Sequence, residues 1–186
     1  MVKTYRLTEA DIYVALAGAR GVEVADVDAI LETVRRLAGA SAFQLFDADV
    51  VAGWRHLFHA AVNAAHAIRG GSAVSNSVEV ESMLYASCQD QISKAFTLMG
   101  LGPKVENVAV LVLSEDPSEA ESLAAEIAGR LGVPDDGVMD VTPEKYGRLR
   151  DVFDVGDEAL GAVGGDPYEA LTSLVVEKGA LLPLRR

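Results

Sequence analysis

Cysteine is almost missing from this 186-residue chain, where Cys88 stands alone. A single thiol closes no internal disulfide, and no paired cysteine spacing marks a zinc site, which fits a reducing compartment. Long apolar runs are missing too: Val108–Leu113 is among the longest, far short of the roughly 20 residues that span a bilayer. No basic stretch followed by an apolar one opens the sequence, so the expected location is the cytoplasm, away from membranes. Positive charge is scarce, with 16 Lys and Arg against 28 Asp and Glu and a net charge of −12. Such a balance opposes unaided binding to a phosphate backbone, which draws its affinity from Lys and Arg releasing counterions. Any nucleic-acid contact is therefore expected to be local or shared with partners. Adaptation to host salt explains the acidity equally well, because net charge informs on solubility and association, not on fold.

Half of the residues are hydrophobic. At this length that supplies a real core for one domain over residues 1–186, and no repeat or linker divides it. Ile12–Ala17 has strand composition. Asp26 is a good N-cap for a helix with Ile30, Leu31, Val34 and Leu37 at helical spacing, closed by Gly39. A short strand over Ala42–Phe46, ending at Asp47, leads into an alanine-rich helix expected from Asp49 to Ile68 and stopped by Gly70 and Gly71. Asn76 with Glu79 resembles a capping box, so a second long helix is expected to run to Met99, with Val80, Leu84, Cys88, Gln91 and Ala95 on one side. Val105–Ser114, rich in valine and leucine, is expected to be a central strand. Asp116-Pro117, Thr142-Pro143 and Asp166-Pro167 each place a capping side chain before a proline at the first helical position. The glycine-rich Gly161–Gly165 lacks the preceding strand and the lysine of a phosphate loop and is read as a turn between helices.

Four features bear on chemistry. His56, His59, Asn63 and His66 fall on one helical stripe, where imidazoles can converge on a metal. A metal-dependent hydrolase built on that stripe is the alternative function, although the helix carries no acidic or cysteine ligand beyond Asp49 at its start. Cys88 on an apolar helix face is read as a buried small hydrophobe rather than a nucleophile. Glu81, just before Met83-Leu84-Tyr85, is read either as a partner contact or as a polar group serving the core. The sparse cations Arg69, Lys94 and Lys104 are candidates for one phosphate-binding patch.

From Phe43 to Ser114 the sequence resembles the kinase-binding accessory subunit of the KEOPS tRNA-modification complex, in its archaeal form. The matching pieces run in order: Phe43-Gln44-Leu45-Phe46-Asp47-Ala48, Gly53, His56-Leu57, the alanines from Ala60 to Ala67, and Ser75-Asn76-Ser77. Glu81, Leu84-Tyr85-Ala86-Ser87, Gln91-Ile92, Ala95, Met99-Gly100 and the valine-rich strand follow. The resemblance implies an α/β (α+β) domain with helices around a central mixed, largely antiparallel sheet. It also implies no catalytic centre, no cofactor and no metal. Implied partners are the KEOPS protein kinase subunit, the tRNA 3′ CCA end and, indirectly, the other KEOPS subunits, in support of threonylcarbamoyladenosine formation beside the anticodon. Unpaired bases suit an acidic protein, since stacking and edge hydrogen bonds read them with few phosphate contacts. On this footing Arg69, Ser75, Asn76, Lys94 and Lys104 are the expected tRNA contacts. Leu181, Leu182 and Leu184, an apolar tail that is costly to expose, are the expected partner contacts, with packing on the chain's own core as the alternative. The chain departs from the family at Asp90, where relatives commonly carry a basic residue before the Gln-Ile pair.

Overall fold

The computed structural model describes residues 2–7 and 11–185. Five strands form one sheet in the order β1–β2–β4–β3, with β5 also on β2. They are β1 (Lys3–Leu7), β2 (Ile12–Arg20), β3 (Ala42–Asp47), β4 (Asn107–Ser114) and the two-residue β5 (Val133–Pro134). Every pairing among the described residues is antiparallel, so the expected mixed sheet is antiparallel throughout. β4 is central as expected: Tyr13–Arg20 pairs along one side of it and Ala42–Asp47 along the other. Its side chains alternate between two buried faces, which explains why it reads as a continuous apolar run.

Helices cover both faces. Val108, Val110 and Val112 point into a core shared with α1 (Val27–Ala38) and α5 (Pro117–Leu131). Ala109, Leu111 and Leu113 point into a larger core built with α2 (Trp54–Gly70), α3 (Val78–Ser87), α4 (Ile92–Met99), α6 (Pro143–Phe153) and α8 (Pro167–Ala180). The short α7 (Asp157–Val163) packs on α8. All three proline-initiated helices start as the sequence indicates, with Asp116, Thr142 and Asp166 each accepting from backbone amides of the first turn. Gly164 and Gly165 form the turn between α7 and α8, both with positive φ.

Three helix expectations need correction. The alanine-rich helix begins at Trp54 rather than Asp49: Ala48–Val50 forms a separate 3-10 turn, and Gly53, at φ 84°, redirects the chain while its amide donates to Met139 O. The second long helix is two helices. α3 stops at Cys88, whose φ is 55°, and Gln89 N donates to Leu84 O while Cys88 N donates to Tyr85 O. This is the same paired closure that Gly71 makes at the end of α2 through Ser72 N to Ala67 O and Gly71 N to Ile68 O. A left-handed residue that is not glycine leaves no mark in the sequence, so the apolar spacing continued across the break. The cap of α3 is Ser77 rather than Asn76.

Candidate functional site

The histidine stripe does not assemble a metal centre. His56 is buried, and its Nδ1 accepts from Ala52 N at 3.1 Å while Nε2 lies 2.8 Å from Ala86 O, the distance of an N–H donating to a carbonyl. With both ring nitrogens committed and its edge against Phe153, the imidazole ties the entrance of α2 to α3. Burial pushes its pKa down to about 4, against a smaller upward pull from the Ala86 carbonyl, so it is neutral at physiological pH. His59 packs edge-on against Phe58, and burial followed by the Arg55 charge also lowers its pKa. His66 is exposed farther along the helix. Among the described residues no group of three His, Cys, Asp or Glu side chains is placed to share a metal ion. The hydrolase alternative therefore loses its first ligand to a structural role.

Cys88 was expected in mid-helix and instead caps α3, but its burial holds. Its thiol is pushed up to about 11 by burial, with Arg185 and Lys178 pulling weakly the other way. A thiol so rarely ionised is no nucleophile at neutral pH. Glu81, for which two readings were open, serves the core and the loop: fully buried, its Oε2 accepts from Val74 N at 3.1 Å and Ser75 N at 2.9 Å. The carboxylate thus folds the α2–α3 connection back onto α3.

That loop carries two of the expected tRNA contacts. Ser75 Oγ donates to Ser77 O at 2.8 Å, and Asn76 is exposed beside it. Arg69 lies exposed in the last turn of α2, so chain continuity gathers Arg69, Ser75 and Asn76 at one end of the α2–α3 pair. Lys94 stands on the solvent face of α4 with the exposed Ile92 and Phe96, and Lys104 lies in the following loop. Among the described residues no ion pair engages Arg69, Lys94 or Lys104. They are cations without a structural occupation.

The C-terminal leucines divide. Leu182 is only 2% exposed and belongs to the larger core, which removes it from the expected partner surface. Leu181 is 45% and Leu184 81% exposed. The 3-10 turn Leu182–Arg185 makes this split, since turning the chain over one residue buries one leucine and presents the next.

Two clusters escaped the sequence reading. Tyr5 stacks on Trp54 with centroids 4.9 Å apart and planes 3° from parallel, Phe58 packs on both, and Lys3 Nζ sits 4.7 Å from the Trp54 ring centre. Arg148 bridges Asp47 and Asp49 at 3.3 and 3.6 Å, beside Lys145, whose Nζ donates to Val138 O at 2.9 Å. Burial lowers the Lys145 pKa to about 8, opposed by Asp49, Asp140 and Asp47, and burial raises that of Asp47. Both clusters join residues remote in sequence, so no local spacing announced them. No described helix is long and apolar enough to cross a membrane.

A family model described as kinase binding protein CGI-121 matches residues 22–180. The chain is also similar to the Regulatory protein Cgi121 of Methanocaldococcus jannaschii, at 28% identity over 144 residues, which cover 77% of this chain and 85% of that protein.

Proposed function

The chain belongs to the CGI-121 family of kinase-binding proteins, and from that membership we propose that it is a non-catalytic, cytoplasmic adaptor that docks a protein kinase within a KEOPS complex and recruits tRNA by its 3′ CCA end. The family match over residues 22–180 carries this reading. In support stands the ordered resemblance from Phe43 to Ser114 and the structural employment of the two groups best suited to catalysis, His56 and Cys88. Its contribution to threonylcarbamoyladenosine synthesis is positioning.

The proposed acceptor-end contact comprises Arg69, Ser75, Asn76, Lys94 and Lys104. Glu81 supports it by fixing Ser75, and three cations suffice where bases are read by stacking and edge hydrogen bonds. Leu181 and Leu184 are the proposed kinase contacts. The experiment is a titration against intact tRNA and the same tRNA lacking CCA at several salt concentrations. Tighter binding of the intact form is expected, with a slope of log K on log salt of about −2, as three single-strand phosphate contacts imply. Equal binding of both forms would leave kinase docking alone. In a pull-down with the kinase subunit, Leu184→Asp is expected to weaken capture at least severalfold, and unchanged capture would move the kinase surface elsewhere.

A further inference from the structure

Two open cavities adjoin at the start of β3, one across the strand ends that carry Ile12, Ala42 and Leu113 and the other beside Phe43 and Gln44. One, of about 470 Å3, has an apolar floor of Ile12, Ala42, Val78 and Leu113 and the carboxylates of Glu79, Glu115 and Glu119 around it. The other, of about 430 Å3, is walled by Leu31, Phe43, Val80 and Phe96, with Arg35 among its lining. Both include Ser41, Ala42 and Glu79, so together they form one furrow along the outer end of β3. Ser41 Oγ and Ser114 Oγ donate to the two oxygens of Glu119 at 3.0 and 2.7 Å and fix that carboxylate.

The strand edge itself is half closed. Gln44 Nε2 turns back to donate to Leu45 O at 3.2 Å, which occupies the inner part of the edge. Backbone groups of an antiparallel strand alternate in direction, so the N–H and C=O of Phe43 point to the same outer side as those of Leu45. Among the described residues no side chain hydrogen-bonds the backbone at Ala42 or Phe43; Ala42 lines both cavities and Phe43 the second.

We propose that this furrow holds an extended segment of a partner protein laid against β3 at Ala42–Phe43. A lysine or arginine of that segment enters the Glu79, Glu115 and Glu119 end, its aliphatic stem on the apolar floor and its charge among the carboxylates. A large apolar side chain fills the end between Leu31, Phe43 and Phe96. Charge selects this occupant: three carboxylates repel nucleic acid, and a second copy of a chain with net charge −12 brings charge of the wrong sign. The furrow shares no residue with the proposed tRNA or kinase contacts, and the inference stands or falls independently of them.

The immobilised full chain is panned against a random decapeptide display library at low ionic strength. Enriched peptides are expected to combine Lys or Arg with a large apolar residue and to bind Glu79→Gln/Glu115→Lys about tenfold more weakly. On titration of the unaltered protein with the best peptide, the amide resonances of Ala42 and Phe43 are expected to shift, a readout that needs no variant to fold. Enrichment of nothing, or of acidic peptides, overturns the proposal. So does unchanged affinity in the folded double variant, or amide shifts confined to other surfaces. A single-stranded RNA oligonucleotide that displaces the peptide, or dimerisation that blocks it, equally overturns it in favour of those occupants.

Discussion

His56 is held neutral by its surroundings, and that makes stability depend on pH in a defined window. Its folded pKa of about 4 lies below the ordinary 6.5, so between those values the unfolded chain takes up a proton that the folded one refuses. Stability from this group is whole above pH 6.5 and is lost as pH falls toward 4, amounting to about 3 kcal/mol across that gap. Urea unfolding at pH 7.5, 6 and 5 is expected to show the loss, and His56→Gln is expected to flatten it while lowering stability at every pH. A slope unchanged in the variant would assign the effect to carboxylates. For Cys88, burial predicts that a disulfide reagent at pH 8 reacts slowly in buffer and at once in 6 M urea. Fast reaction in buffer would contradict the packing of α3 against α8. The role of neither residue as a structural tie was fully legible in the sequence. A histidine at helical spacing looks the same whether its nitrogens face a metal or a backbone carbonyl 30 residues away.

At the level of elements, the proline-marked starts and the glycine-marked ends at Gly39 and Gly71 were legible, whereas the start of α2 at Trp54 and the stop of α3 at Cys88 were not. Asp116, Thr142 and Asp166 announce their helices because a cap and a proline act over two or three residues. The stop at Cys88 depends on closures that glycine usually marks, and β1 depends on Trp54 and Phe58, some 50 positions on. The same limit explains the candidate site. That Arg69, Ser75 and Asn76 lie together was legible because one turn joins them, whereas the furrow at β3, assembled from several elements, had no local signature. Gly179 shows how close two helices come: a Cβ there would lie 2.8 Å from Tyr85 O. Alanine gains about 1 kcal/mol of helix propensity over glycine, but overpacking against a carbonyl costs about 1–3 kcal/mol. Gly179→Ala is therefore expected to lower the melting temperature by several degrees. A rise would mean that α8 yields freely. At Glu81, removal of the carboxylate strands two amides, so Glu81→Ala is expected to cost about 2 kcal/mol. Hydrogen exchange should quicken first at Val74 and Ser75.

Over the whole molecule the excess of negative charge repels itself, and screening should relieve it. Raising KCl from 0.1 to 1 M is expected to raise the melting temperature by about 3 °C or more, corresponding to about 1 kcal/mol. Insensitivity to salt would assign the acidity to partner recognition rather than to the medium. The same salt would weaken the proposed tRNA capture, so on the proposed reading folding and cargo binding have opposite optima. The antiparallel sheet was expected from the resemblance in outline only, because pairing direction is settled by contacts across the chain and not along it. One consequence concerns observation. Trp54 is the single tryptophan, and its indole lies against Tyr5 of the first strand. Its emission is thus a built-in optical gauge of whether that strand is docked: detachment of residues 3–7 should redden and dim the signal before the rest of the fold gives way.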